Sequence, residues 1–133
     1  MAQDTRISVT ARNAEANATG ALLVGGFLRI YSGPRPAIPD TPPNITNQLL
    51  VTFALGNPAF ATAVNGTIVS GALAEATVMT SGTAAWFLAC TANGVPVFSG
   101  SIGVSGADMI LPTVALLAAY KIRITSVQYT RPT

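Results

Sequence analysis

Histidine is absent from this 133-residue chain, and other groups that carry enzyme chemistry are scarce. Histidine is the commonest side chain for proton transfer near neutral pH and the commonest ligand of transition metals. A catalytic triad or a zinc site in this chain would therefore lack its usual histidine. The carboxylates are few: Asp4, Glu15, Asp40, Glu75 and Asp108. They lie far apart in sequence, whereas a paired-carboxylate hydrolase needs two acids about 5 to 10 Å apart. We therefore expect no enzyme activity, no catalytic residues, no metal and no cofactor.

Cysteine occurs once, at Cys90, so no disulfide can form within the chain and an oxidising compartment is not required. Long hydrophobic runs are missing as well: the longest, roughly 114–120, is too short to cross a membrane. A secretion signal has a basic segment that leads into an apolar one, and the N-terminus shows no such pattern, so we expect no export by a signal. The length fits a single domain, residues 1–133, and we expect it to be soluble, with no membrane partner.

Charge is the scarcest property of the chain. Only 9% of its residues are charged, against about a quarter in a typical soluble domain, while 50% are hydrophobic. Between Asp40 and Asp108 the single charged residue is Glu75. Because charged residues are depleted at the centres of protein interfaces, this segment is predicted either to be buried on both faces or to be covered by another protein.

The basic residues do not form a cluster, although the formal net charge is +2. They are scattered along the chain at Arg6, Arg12, Arg29, Arg35, Lys121, Arg123 and Arg131. Phosphate binding requires clustered cations, so no nucleic-acid partner is expected.

The apolar pattern predicts one short helix followed by short strands. The helix is expected over about 9–18, with Ser8 or Thr10 as its N-cap and Gly20 as its stop. Beyond it, about eight short segments of period two alternate with turn signals such as Asn-Gly at 65–66 and 93–94. This spacing is typical of an all-β fold, an antiparallel β-sandwich, for which we expect a jelly roll.

The segment 83–90 is apolar on both faces, which predicts a central strand or one covered by a partner. Its Trp86 is the only tryptophan, and the small apolar residues at period two around it favour a buried position. Three tyrosines are better candidates than Trp86 for exposed aromatic side chains: Tyr31, Tyr120 and Tyr129.

A proline-rich loop, residues 33–44, follows the first strand. Five of the nine prolines of the chain lie in these twelve residues, which prevents both helix and sheet pairing. One interpretation is a stiff arm that docks on a neighbouring protein, since such a segment loses little entropy on binding. The other is an ordinary crossover between two sheets, and the sequence leaves both open.

Several segments together make the chain resemble a family of small virion proteins of tailed phages, the head-decoration or cement proteins. They are 28–40 (LRIYSGPRPAIPD), 50–53 (LVTF), 57–60 (NPAF), 82–88 (GTAAWFL), 100–108 and 122–129 (IRITSVQY). The resemblance covers nearly the whole chain. It implies a jelly-roll protein, a homodimer or a trimer, made in the host cytoplasm and bound to the major capsid protein on the outer surface of the head. It implies no catalytic residues.

The resemblance, together with the charge-poor segment, implies a cement protein that bridges capsid subunits. Its candidate interface residues are Pro34, Arg35, Pro36, Ile38, Pro39, Tyr31, Tyr120 and Tyr129. Two alternatives stay open: a head-tail connector or tail protein, which would be equally neutral and rich in strands, and a carbohydrate-binding β-sandwich. The last would need an exposed aromatic platform, for which Tyr31 and Tyr120 are the candidates.

Overall fold

The computed structural model describes residues 7–36, 47–56, 59–70, 73 and 75–130, and in them the chain forms one helix and eleven short strands. The helix is α1 (Val9–Leu22), and the strands are β1 (Phe27–Tyr31), β2 (Leu49–Ala54), β3 (Thr67–Val69), β4 (Ala76–Thr77), β5 (Gly82–Thr83), β6 (Trp86–Cys90), β7 (Pro96–Gly103), β8 (Met109–Ile110), β9 (Ala115–Leu116), β10 (Lys121–Ile122) and β11 (Ser126–Thr130). The predicted proline-rich loop 33–44 is described only as far as Pro36.

The helix begins where the sequence predicts but ends later. Ser8 is the N-cap, and its hydroxyl oxygen accepts a hydrogen bond from the backbone N–H of Ala11 at 3.1 Å. Gly20 does not stop the helix; it is buried inside the last turn, and a Cβ there would lie 3.1 Å from the Ile68 side chain. The small residue lets α1 pack closely on β3, so the predicted end at about residue 18 is wrong.

Seven of the strands form one sheet in the order β2-β1-β6-β7-β8-β11-β3. All its neighbouring pairs are antiparallel except β7 and β8, which run parallel. The other four strands form two ribbons, β4 with β10 and β5 with β9. The expected all-β, mainly antiparallel sandwich with a short N-terminal helix is confirmed, with β7–β8 as the one parallel pair in the described sheet. The jelly-roll connectivity stays a prediction.

The main core lies between the large sheet and a second layer made by the helix and the two ribbons. From the sheet it takes Leu28 and Ile30 of β1, as the period of two predicts, with Phe53 and Phe87 from the neighbouring strands. Ala16 of the helix closes the opposite side, together with apolar residues of both ribbons.

All five residues of β6 are buried, which confirms that this strand, apolar on both faces, is central. The predicted extent 83–90 is wrong at its start, because Thr83 lies in β5 of a ribbon and the central strand begins at Trp86.

The Asn65-Gly66 signal makes a tight hairpin. Both residues have positive φ, 52° and 77°, and Val64 and Thr67 exchange backbone hydrogen bonds of 2.9 and 3.0 Å. This is the backbone of a two-residue turn of the primed type, in which Asn-Gly is favoured. The mainly apolar residues 59–64 before this turn also predict a short strand in the sequence, but that interpretation is wrong, since only the isolated bridges of Phe60 and Val64 form there.

Two parallel neighbours, β7 and β8, are joined by only five residues, 104–108. Parallel strands ordinarily need a connection of a dozen or more residues. Here Asp108 closes the short loop: one of its carboxylate oxygens accepts from the backbone N–H of Ser101 at 3.0 Å and from its hydroxyl at 3.2 Å. The backbone N–H of Asp108 donates in turn to the Ser101 hydroxyl oxygen at 3.2 Å. Gly106, at φ 65°, supplies the left-handed turn that the loop requires.

In the sequence, Ile122 and Ile124 alternate with polar residues and Val127 and Tyr129 resume the alternation out of phase, which predicts a bulge near 125–126. The change of phase is present, but a change of sheet produces it rather than a bulge within one strand. β10 ends at Ile122 in a ribbon, and β11 begins at Ser126 in the large sheet. Between them the backbone N–H of Thr125 donates to the Ile110 carbonyl at 2.9 Å. Both strands therefore contribute to one core, with Ile122, Ile124 and Val127 buried.

Candidate interaction surface

The proline-rich connection leaves and rejoins the sheet at two hydrogen-bonded residues. The backbone N–H of Ser32 donates to the Gln48 carbonyl at 3.0 Å, and that of Gln48 donates to the Ser32 hydroxyl at 3.2 Å. The Asn47 side-chain amide adds two bonds across the same opening, to the carbonyl oxygens of Ser32 at 2.8 Å and Pro34 at 3.0 Å. These contacts fix both ends of the connection.

The same connection joins two strands that are already neighbours. β1 and β2 pair antiparallel within one sheet, so the interpretation of the loop as a crossover between two sheets is wrong. A hairpin between adjacent strands needs only about two to five residues, yet the chain uses residues 32–48. Loops much longer than their connection requires are uncommon, and they are usually either functional or linker segments. The excess length therefore favours the other interpretation, an arm that contacts something else.

The candidate residues of this arm are only partly described. Pro34 and Arg35 are exposed and Pro36 is half-buried, while Ile38 and Pro39 lie outside the described residues.

Tyr31, expected to be exposed, is buried. Its ring stacks on Trp86 with centroids 4.6 Å apart and planes 16° from parallel, and the two side chains are 7% and 2% exposed. With Leu88 and Cys90 they form a second apolar cluster, on the opposite face of the large sheet from the main core, against which Leu49 packs. The expectation for Trp86 is confirmed. Tyr31 cannot serve as an exposed aromatic platform.

Burial in this second cluster also raises the pKa of two side chains, Tyr31 and Cys90. It raises the pKa of the Tyr31 hydroxyl above its ordinary value of 10.0, and Arg29, through its charge and a hydrogen bond, opposes the rise. It raises the pKa of the Cys90 thiol above 9.0, again against the Arg29 charge. Cys90 is thus a buried, neutral thiol, which is the unreactive form.

Tyr129 is half-buried rather than exposed. Its ring lies 4.7 Å from that of Phe98, tilted by 47°, and it packs against the edge of the main core. Most of its apolar body therefore contributes to packing within the chain.

Tyr120, by contrast, is 67% exposed, as the sequence predicts. It closes the turn between β9 and β10, where its backbone N–H donates to the Leu117 carbonyl at 3.2 Å. Ala119 in this turn has φ 74°, a conformation that costs a residue with a Cβ about 1 to 3 kcal/mol. A hydrogen bond from its N–H to the Val78 carbonyl, 2.8 Å long, holds it there. Such strain, maintained by the surrounding structure, is common at ligand-binding positions.

Beside this turn is a hollow of about 410 Å³, which we name the Tyr120 recess. It is lined by 112–113, 115–117, 120–123, Glu75 and Val78. Its deep residues, Val78, Leu116 and Ile122, are buried aliphatic side chains of the main core. At its rim the guanidinium of Arg123 lies 3.7 Å from the Glu75 carboxylate, and both side chains are largely exposed, so the ion pair is weak.

The Tyr120 turn and the base of the arm flank the same strand, β2, which is an edge of the large sheet. The backbone N–H of Met79 donates to the Leu50 carbonyl of β2 at 2.7 Å. Its neighbour Val78 bonds to the Tyr120 carbonyl at 2.8 Å. Tyr120 and the base of the arm, both predicted from the sequence, thus lie beside the same edge strand. Tyr31 and Tyr129 do not join them as exposed side chains, because Tyr31 is buried and Tyr129 is half-buried.

The charged residues of the recess were missed in the sequence. Glu75 stood out as the single charge within 41–107, but nothing in the sequence paired it with a residue almost fifty positions later. The alternation of Lys121, Ile122 and Arg123 did place both cations on one side of their strand. The recess itself depends on the two ribbons lying side by side.

No group of three or more His, Cys, Asp or Glu side chains comes together as a metal site within the ranges that the structure describes. Three carboxylates are described: Glu75 is engaged with Arg123, Asp108 is engaged with Ser101, and Glu15 lies on the exposed side of α1. Asp4 and Asp40 lie outside those ranges.

No helix in the described part of the chain is long and apolar enough to cross a membrane.

The chain matches no family model, no curated protein and no solved structure.

Proposed function

We propose that this protein is a structural virion protein, a capsid cement or decoration protein that binds the outside of a phage head and bridges major-capsid subunits. It acts as a homodimer, made in the host cytoplasm and assembled onto the virion. No chemistry is required of it, only a stable body and a surface that fits the lattice.

The observation that carries this proposal is the neutral outer surface of the charge-poor segment. Between residues 47 and 107 the described chain exposes five large apolar side chains but a single charged one, Glu75. The five are Val64, Val69, Met79, Val95 and Val104. A freely diffusing protein gains solubility from surface charge, whereas a surface covered by neighbours does not need it. Interface centres are depleted in charge in the same way.

The arm between β1 and β2 supports the same proposal. Its two ends are fixed by Ser32, Asn47 and Gln48, and its length exceeds what a hairpin needs. A proline-rich segment on a rigid base loses little entropy when it docks on a neighbouring subunit.

Repetition over the lattice strengthens a modest interface. A copy that touches two coat subunits makes its second contact at a high effective concentration, so its overall affinity exceeds that of either contact alone. This favours a surface of small neutral contacts over one tight, charged site.

The test is to purify the virions released from cells in which this protein is made during phage growth, count its copies by quantitative mass spectrometry and locate it by electron cryo-microscopy. We expect hundreds of copies, visible as knobs on the exterior of the head at fixed symmetry positions. A count of six or twelve at the neck or tail would replace cement by a connector or tail role. Absence from the particle would overturn the proposal.

A further inference from the structure

The Tyr120 recess combines an aliphatic floor with an exposed apolar rim. Val78, Leu116 and Ile122 form the floor, and at the rim Leu117 is 59% exposed beside Tyr120. Next to this turn, Met79 is also exposed. Tyrosine, methionine and arginine are the residue types enriched at protein interfaces, and such anchors usually fill or surround a pocket.

The rim carries an excess of positive charge. Lys121 and Arg123 lie two residues apart and project to the side of the chain opposite the buried Ile122. Arg123 is opposed by Glu75, and Lys121 has no ion pair among the residues that the structure describes. In a chain with only seven basic residues, two of them line this one recess. The rim therefore complements a negative charge.

The recess also lies between two strands that are paired on one side each. β9 pairs with β5 and β10 pairs with β4, and in the described residues neither ribbon has a third strand. Residues of both β9 and β10 line the recess. A strand that is paired on one side only can accept an added strand, which is one way in which proteins recognise extended peptides.

We propose that the Tyr120 recess binds an extended segment of a partner protein, which inserts an aliphatic side chain over Leu116 and Ile122 and sets a carboxylate beside Lys121. An aliphatic floor suits such a side chain, whereas a sugar ring would need hydrogen-bonding groups around its hydroxyls. The inference rests on the proposed function for the source of the segment, a neighbouring coat subunit, but its chemistry is tested without a capsid.

The test uses the whole protein, labelled with nitrogen-15, and blocked heptapeptides. The probe has the sequence Ser-Thr-Asp-Leu-Asp-Thr-Ser, and the matched peptides replace both aspartates by lysine or the leucine by alanine. We expect the probe to shift the amide signals of Leu117, Lys121 and their neighbours in a saturable manner. Both matched peptides should bind more weakly. No shifts with the probe, or equal shifts with the lysine peptide, would overturn the proposal.

Two substitutions of similar exposure sharpen the experiment. Leu117→Asp places a carboxylate on the rim and should raise the Kd of the probe at least about tenfold. Val104→Asp changes a residue that is 60% exposed, against 59% for Leu117, outside the recess, and should leave the Kd within about twofold. Lys121→Gln should raise it about two- to fivefold, as expected for an exposed ion pair. Thermal melts of the three variants confirm that each is folded.

A third ligand separates a sugar site from a protein site. Glucuronic acid offers a carboxylate on a polar ring, and if it shifts the recess signals while the probe does not, the recess binds saccharide and the proposal is wrong. The outcome is independent of the capsid role. If the peptide binds but the protein is absent from virions, the recess proposal stands and the cement function is wrong. If the protein is present on virions but the peptide does not bind, the cement function stands and the recess proposal is wrong.

Discussion

Tyr31 stacks on Trp86 across the β1–β6 pair, with ring centroids 4.6 Å apart, on the face of the large sheet that is turned away from the main core. The next residue along β6, Phe87, points to the opposite face and enters the main core. One strand thus contributes to two separate apolar clusters, which is why its sequence lacks the usual alternation with polar residues. The buried Trp86 ring stabilises the fold, and a ligand cannot reach it.

Replacing Trp86 separates the packing of its ring from the cost of its polar atom. The indole N–H is buried and finds no acceptor among the described residues, which costs about 1 to 3 kcal/mol. Trp86→Phe removes this donor while keeping an aromatic ring over Tyr31, so we expect the free energy of unfolding to change by less than about 1 kcal/mol. Trp86→Ala should lower it by about 3 to 5 kcal/mol. Urea denaturation followed by circular dichroism measures both.

Equal losses for these two variants would show that the indole N–H has a partner that stabilises it. Leu28→Met, a volume-conserving change in the main core, serves as a reference for ordinary repacking, with an expected cost below about 1.5 kcal/mol.

The Ser101–Asp108 pair is expected to hold the short β7–β8 loop together. Three hydrogen bonds join the two residues, and two of them involve a carboxylate oxygen. Asp108→Ala should lower the free energy of unfolding by about 1.5 to 3 kcal/mol, and Ser101→Ala by about 1 kcal/mol. Because the two side chains act as one unit, the double variant should be more stable than the sum of the single losses predicts, by about 0.5 kcal/mol or more.

A double-mutant cycle from urea denaturation gives this coupling. Ser105→Ala in the same loop is the control and should change stability by less than about 0.5 kcal/mol. Additive losses from the Ser101 and Asp108 variants would mean that other contacts close the loop.

Several features of the fold could be predicted because they depend on neighbouring residues. The cap at Ser8, the Asn65-Gly66 turn and the central position of β6 follow from capping chemistry, turn chemistry and apolar pattern. What failed depends on distant partners. Gly20 resembles a helix stop in sequence, but in the structure it is the close contact between α1 and Ile68.

The same distinction applies to the candidate surface. The expected exposure of Tyr120 is confirmed, because the structure places it in the turn between β9 and β10. That of Tyr31 failed because period two cannot tell a covered second face from a solvent face. The recess arises from two ribbons whose strands are far apart in sequence, such as β4 and β10. No local pattern indicates that pairing.

The buried thiol and phenol predict a loss of stability at high pH. The ordinary pKa, which the unfolded chain keeps, is 9.0 for the Cys90 thiol and 10.0 for the Tyr31 hydroxyl. In the folded protein both pKa values are higher, mainly because burial disfavours the charged forms. The folded state therefore binds these protons more tightly, so their contribution is complete below pH 9 and is lost as the pH rises through the folded values. We expect an unfolding free energy that is flat near neutrality and falls above about pH 9.

Urea titrations between pH 7 and pH 11 measure this dependence. Cys90→Ala and Tyr31→Phe each remove one of the two groups and should each make the alkaline fall less steep. A fall of unchanged slope in both variants would assign it to other residues.

The arm between β1 and β2 gives the sharpest link between fold and function. Because these strands are already neighbours, replacing residues 35–46 by two glycines leaves a seven-residue connection that keeps Pro34 and Asn47 with their hydrogen bond. We expect the shortened protein to fold with little change in its melting temperature, because a shorter flexible loop costs less entropy to close. It should lose binding to undecorated capsids in a sedimentation assay, and Ile38→Asp in the full-length chain should weaken that binding without moving the melting temperature. A shortened protein that still binds capsids would remove the arm from the interface, whereas one that cannot fold would make the arm part of the core.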